Sequence, residues 1–288
     1  MFTSKWTPFF VYLSMNKKFI KFLKIICSLV VVLYIGICTL LYINQDDLLF
    51  HPKPLSQKEV NEVLKNNPDF DTLSFLMSDN VKISLYVSKD SSNNKWPLLI
   101  YFGGNAEEVS HLMEKKSYFK NLKFVLVNYR SFGLSQGKIS EKNMFSDALE
   151  VYDKLKMRED VDSTDINVIG RSIGTGVATY LASQRNIKMA VLITPYESMI
   201  DVAQEKYPFV PIAWLIKHPF NSTQYAVSVN SKMLAIISKN DVVIPKQHAY
   251  NLIKVWNGKV VSKEFEEDHS SIMKNESCWN LISEFISD

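Results

Sequence analysis

With 288 residues the chain is long enough for one large domain or two small ones. A hydrophobic content of 47% beside 22% charged residues excludes a disordered or fibrous chain, and a net charge of +3 without basic clusters interleaved with aromatics gives no footprint for nucleic acid. Cys27, Cys38 and Cys278 are too few and too scattered for a disulfide framework or a thiolate metal site. No metal or other cofactor is expected, and nothing in the pattern fixes an oligomeric state.

Residues 1–24 carry Lys5, Lys17, Lys18, Lys21 and Lys24 and no acidic side chain. Residues 25–43 contain no charge at all, and 19 residues span about 28 Å as a helix, the hydrocarbon thickness of a bilayer. Asp46 and Asp47 follow. The lysine bias predicts a single-pass signal anchor with its N-terminus in the cytoplasm and the rest of the chain beyond the membrane, in the periplasm or outside if the source is bacterial. The run exceeds a signal-peptide core, and no small-x-small site follows it, which disfavours cleavage. Met15-Asn16-Lys17-Lys18 reads as an alternative start.

Residues 44–70 read as a polar stem with a short helix from Ser56 to Lys65. Residues 71–288 then alternate strands and helices. Val81, Ile83, Leu85 and Val87 alternate with polar neighbours, the mark of a half-buried strand. Residues 98–102, 124–127, 166–169, 189–193 and 233–237 are short all-apolar or β-branched runs, as in strands covered on both faces, and 259–265 is a further strand. Helices are predicted over 106–119, 141–158, 246–257 and 276–286. Such alternation implies a mostly parallel sheet with helices on both faces.

The run 166–176, Ile-Asn-Val-Ile-Gly-Arg-Ser-Ile-Gly-Thr-Gly, has the form of a nucleophile elbow, in which strand, tight turn and helix present Ser172 between Gly170 and Gly174. In parallel sheets ligands bind beyond the carboxyl ends of the strands. Seven of the nine glycines (Gly103, Gly104, Gly133, Gly137, Gly170, Gly174, Gly176) fall in loops at those ends, which marks that edge as the working one.

A serine hydroxyl needs a base and a group that orients it, and in the elbow-bearing fold the chain order is serine, acid, histidine. His269 follows the last strand and is the expected base; His51, His111 and His218 come too early, and His248 lies in a helix only seven residues past Asp241. Asp241, at the end of strand 233–237, is the expected acid, with Asp201 a weaker rival and a helix N-cap its alternative role. Asp268, beside the base, is left unassigned. The backbone N–H groups of Ile173 and Asn105 are the expected oxyanion donors, with Gly104 close behind Asn105. Arg171 could equally be a structural ion pair.

Tyr101-Phe102-Gly103-Gly104-Asn105-Ala106, Tyr129 to Gly137, Gly170-Arg171-Ser172-Ile173-Gly174 and the late Asp241 and His269 together resemble the small serine hydrolases of the α/β-hydrolase superfamily. Within it the chain is most similar to the membrane-anchored group that includes protein depalmitoylases and bud-emergence-type hydrolases. The resemblance covers roughly residues 45–288 and implies an α/β-hydrolase fold preceded by one transmembrane helix, with Ser172, Asp241 and His269 as triad. Gly103 stands where the family usually has histidine and Glu107 where it has glycine; Ser131 replaces a common glycine, and Asp268 replaces the glycine before the catalytic histidine.

The expected activity is cleavage of a small-molecule or lipid-like carboxylic ester or thioester by a membrane-anchored serine hydrolase, through an acyl-enzyme on Ser172. A peptidase or an acyltransferase would use the same residues, and an inactive relative that keeps the pocket for binding is the non-enzymatic alternative. Residues 195–231 are rich in aromatics and prolines. They read either as a small cap, with Gly104, Tyr196, Tyr207, Phe209 and Trp214 lining the substrate pocket, or as completion of the core.

Overall fold

The computed structural model describes residues 16–89 and 94–288. Lys5 and the alternative start at Met15 lie outside the described residues. The chain divides into two compact units at Asn44 and Gln45.

The first unit is α1 (Lys17–Ile43), 27 residues with a mean hydropathy of 2.6 over its most apolar stretch, long and apolar enough to cross a membrane. It starts at Lys17, earlier than the uncharged run at 25–43, because no helix breaker separates the lysines from that run and lysine is a good helix former. Asn16 caps it, its side chain accepting from the Lys18 N–H at 3.0 Å.

The second unit is built on an eight-stranded sheet: β1 (Phe70–Leu76), β2 (Lys82–Ser88), β3 (Trp96–Phe102), β4 (Lys123–Val127), β5 (Val161–Arg171), β6 (Met189–Ile193), β7 (Lys232–Ser238) and β8 (Val260–Phe265). Their order across the sheet is β1-β2-β4-β3-β5-β6-β7-β8. Only the β1–β2 and β2–β4 pairs are antiparallel. Successive residues of a strand face opposite sides, so β3 sends Leu98, Ile100 and Phe102 into one core and Leu99 and Tyr101 into another. The first core is closed by α4 (Glu141–Lys156), α5 (Ile173–Gln184), α8 (Ser222–Ala226) and α9 (Lys246–Val255). The second is closed by α3 (Gln57–Asn66), the 3-10 segment Val109–Tyr118 and α10 (Glu276–Ser287).

Two elements differ from expectation. The helix expected over 106–119 starts only at Val109 and is 3-10, because Glu107 and Glu108 are drawn into bonds with Gly104, Arg171, Tyr86 and Asn128. Residues 44–70, the expected stem, hold more than the one short helix expected there. They form α2 (Gln45–Leu49) and α3, the latter closed by a reciprocal Ser56–Glu59 capping box. Gln45 donates to the Leu215 carbonyl at 2.7 Å, Phe50 is buried against His218 and Phe220, and the Leu55 N–H donates to the Gly133 carbonyl at 2.8 Å.

Candidate active site

The β5–α5 junction turns so sharply that Ser172 has φ 52° and ψ −123°, a conformation only glycine adopts without strain. Side-chain-free neighbours make the turn possible. A Cβ on Gly170 would lie 2.4 Å from the Gly174 carbonyl oxygen, and one on Gly174 would lie 2.2 Å from that of Phe102. The turn is pinned by the Ser172 N–H, which donates to the Ile193 carbonyl on β6 at 2.9 Å, and by Thr175, whose N–H and hydroxyl both donate to the Ser172 carbonyl. No side chain caps the start of α5, so the positive end of its helix dipole at Ser172 is not offset by a capping group.

Beside Ser172 stand two groups carried by other strand ends. His269, in the loop after β8, has Nε2 3.0 Å from the Ser172 Oγ. Its Nδ1 is 2.7 Å from Oδ2 of Asp241, in the loop after β7. With Nδ1–H donating to the carboxylate, Nε2 is left as an acceptor for the serine proton. The other Asp241 oxygen accepts the N–H groups of Val243 and Ile244, each at 2.8 Å, which fixes the carboxylate plane. Ser172 and Asp241 are buried, and the His269 side chain is 12% exposed. This series can take a proton from the hydroxyl and stabilise the imidazolium that results.

The other candidates sort by geometry. Asp201 sits in the first turn of α6 (Met199–Lys206), its N–H donating to the capping Ser198 hydroxyl and its carboxylate accepting from it, and Asp268 accepts the Ser270 and Ser271 N–H groups at 2.7 and 2.8 Å. His248 is buried in α9 and bonds Glu197 at 2.8 Å, so it stays in the scaffold.

Facing Ser172 is the loop after β3. Gly104 lies close by, since a Cβ there would be 3.7 Å from that of Ser172. Its N–H is already taken, donating at 2.6 Å to Oε2 of Glu107. Asn105 is held from outside: its side-chain amide donates to the Leu49 carbonyl at 2.9 Å, and its own carbonyl accepts the His51 N–H at 3.0 Å. Glu107 also accepts Arg171 Nη1 at 3.0 Å, and its other oxygen meets the Tyr101 hydroxyl and His111 Nε2. Burial opposes its charge, but the His111 bond, the Arg171 cation and the Gly104 N–H together hold the carboxyl down at about 2. Glu107, Leu49 and His51 were not identifiable as site residues from sequence; the signal at hand was a charged residue in place of a glycine, matched by the opposite charge beside the serine.

The aromatic insert divides. Tyr196 is fully buried and its hydroxyl donates to the Ile173 carbonyl at 3.4 Å, so it supports α5 from within the core and does not line a pocket. Phe220 is buried likewise, and Tyr225 stacks edgewise on Phe145 and Tyr180. Tyr207, Phe209 and Trp214 lie on and beside α6 and α7 (Ile212–Leu215), exposed by 37%, 86% and 89%. They form outer surface, because the short helices present these positions away from the sheet.

Arg130 completes the loop after β4, clasping Asp147 with two bonds of 2.8 and 2.7 Å and Asp79 with a third of 2.7 Å. Ser131 next to it adopts φ 68°, the conformation for which glycine is usual, and offsets the strain with a 2.6 Å bond from its hydroxyl to the Gly137 carbonyl.

The profile of the α/β hydrolase fold family matches residues 97–217. An uncharacterized protein of Mycobacterium tuberculosis is 25% identical over 230 residues, which cover 79% of this chain and 81% of the relative. The lysophosphatidylserine lipase ABHD12 of Bos taurus is 29% identical over 202 residues, covering 62% of this chain and 49% of that protein's length. A Pyrococcus furiosus esterase superposes with a TM-score of 0.64 at 17% identity, covering 83% of this chain and 97% of its own. An acetyl xylan esterase from Paenibacillus gives 0.60 at 14%, with 85% and 98% covered. The chain has the α/β-hydrolase fold.

Proposed function

We propose that this protein is a membrane-anchored serine hydrolase that cleaves a carboxylic ester or thioester. Ser172 attacks the acyl carbon, His269 takes its proton and returns it to the leaving group, and Asp241 orients the imidazole and stabilises its charged form. The backbone N–H groups of Ile173 and Asn105 receive the oxyanion. Water then releases the acyl group by the same route. The observation that carries this reading is the unbroken hydrogen-bonded series from Ser172 through His269 to Asp241, made by residues from three separate strand ends.

The substrate class is an acyl ester of an amphiphile. The relationship to a lysophosphatidylserine lipase supports this, as do the exposed Phe209 and Trp214. Amphipathic aromatic rings suit the boundary between water and lipid. With Lys17, Lys18, Lys21 and Lys24 before the apolar run and Asp46 and Asp47 after it, the catalytic domain lies on the non-cytoplasmic side.

The test is covalent labelling of the full chain by a fluorophosphonate probe, lost in Ser172→Ala. Labelling that survives that substitution overturns the assignment. A series of p-nitrophenyl esters of increasing acyl length then reads the pocket. An alkaline phosphatase fusion after residue 288 reports the topology, and an inactive fusion reverses it.

A further inference from the structure

One departure in the loop after β3 meets the residue before the nucleophile in space. Glu107, where a glycine is usual, and Arg171, beside the nucleophile, are 64 residues apart in sequence and form an ion pair of 3.0 Å with both side chains largely buried. Each member has a second bond to the reacting machinery. Glu107 Oε2 also accepts the Gly104 N–H at 2.6 Å, and Arg171 Nη2 donates to the main-chain carbonyl of His269 at 3.3 Å. A continuous line of contacts therefore runs from the loop after β3, past Ser172, to the backbone that carries the base.

The geometry points to the Glu107–Arg171 pair as a positioning device for the proposed reaction: it turns the peptide between Gly103 and Gly104 toward Glu107, leaves the next N–H, that of Asn105, to meet the oxyanion, and holds the His269 main chain at the matching height. This inference rests on the serine-hydrolase reading above. A glycine at 107 would provide neither the acceptor for Gly104 nor the counter-charge for Arg171, so the two residues form one functional unit. Neither touches the substrate; both act through Gly104, Asn105 and His269.

The charged groups facing the imidazole are Asp241, the adjacent Asp268 and Arg171; Glu107 balances the last of these and also pairs with His111 Nε2 at 3.2 Å on its far side. In Glu107→Gln the amide oxygen can still accept from Gly104, but the Arg171 cation is no longer balanced. An unbalanced positive charge disfavours the imidazolium, so the acid limb of the kcat/KM profile moves to lower pH, by about 0.5 unit. In Arg171→Gln the sign inverts, because the anion at Glu107 remains, and the limb moves to higher pH. A merely structural ion pair would lower the folded fraction in both variants and leave kcat per titrated active site unchanged.

The experiment measures the second-order rate of fluorophosphonate labelling and p-nitrophenyl butyrate hydrolysis across pH, on full chain in detergent, normalised to titrated active sites. The expected results are a kcat about tenfold lower in each variant with KM within about threefold, limbs displaced in opposite directions, and a double Gln variant whose limb returns to the wild-type position. Arg171→Lys, which keeps the charge, keeps the limb in place. Variants that label and turn over at the wild-type rate per active site, or limbs that do not move, overturn the proposal. Labelling that does not depend on Ser172 overturns the underlying reading instead, so the two failures are distinguishable.

Discussion

The backbone N–H of His51 donates to the carbonyl oxygen of Asn105 at 3.0 Å. Together with the bond from the Asn105 side chain to the Leu49 carbonyl, it fastens the loop after β3 to chain that follows α2 directly. Asn105→Ala keeps the backbone N–H assigned to the oxyanion and deletes only one of these fastenings. Its kcat is expected to fall about five- to tenfold, from one lost hydrogen bond of about 1 kcal/mol, with KM nearly unchanged. Steady-state hydrolysis of a short p-nitrophenyl ester checks it; an unchanged kcat would mean the loop holds its shape without the fastening.

Removal of the base or its orienting acid should be far more costly. His269→Ala and Asp241→Asn are each expected to lower kcat/KM by about a thousandfold or more while Tm moves little. Combining either with Ser172→Ala should add almost nothing, since residues that act as a unit are not additive. Additive losses in the double variants would separate the three residues.

Gly174→Ala tests the close approach of α5 to β3. Its methyl carbon would lie 2.2 Å from the Phe102 carbonyl oxygen, a backbone atom that cannot rotate away. A loss of more than about 2 kcal/mol in stability is expected, together with slower probe labelling, because the clash displaces the elbow and the facing loop at once. A thermal melt at the wild-type temperature would remove the packing argument.

Glu141, at the start of α4, is buried, and burial raises its carboxyl to about 7. One of its oxygens has no hydrogen-bond partner, and its backbone N–H donates to His218. A carboxyl raised on folding favours the folded state fully below its unfolded value near 4.5, and that contribution drains away as pH climbs to about 7. Glu141→Gln removes the titration. Relative to wild type the variant should gain about 3 kcal/mol between pH 4.5 and pH 8, read from denaturant melts at the two pH values. Parallel stability curves for the two proteins would refute it.

Sheet, helices and working edge were legible because their signals are local. Leu98 to Phe102 and Phe124 to Val127 are apolar at every position, as strands covered on both faces must be. β1 was not legible: its residues alternate Asp71, Thr72 and Ser74 with apolar neighbours and it pairs on one side only, so it carries half a signal. The meeting of residues 172, 241 and 269 could be expected because elbow chemistry and chain order constrain them. The contact of Glu107 with Arg171 could not, since nothing in either neighbourhood says which loop faces which. Tyr196 against Trp214 shows the same limit, for an aromatic ring reads alike whether it fills a core or covers a surface.

The backbone of Ser172 lies in a region that any Cβ makes costly. The proposed nucleophile therefore sits in a strained conformation, and two substitutions that remove its hydroxyl should differ in a telling way. Glycine normally weakens a fold relative to alanine, yet here Ser172→Gly should unfold at a higher temperature than Ser172→Ala, by the equivalent of about 1 kcal/mol. The site that does the chemistry would then be one where evolution has kept the less comfortable residue, and an inert protein would be the sturdier one.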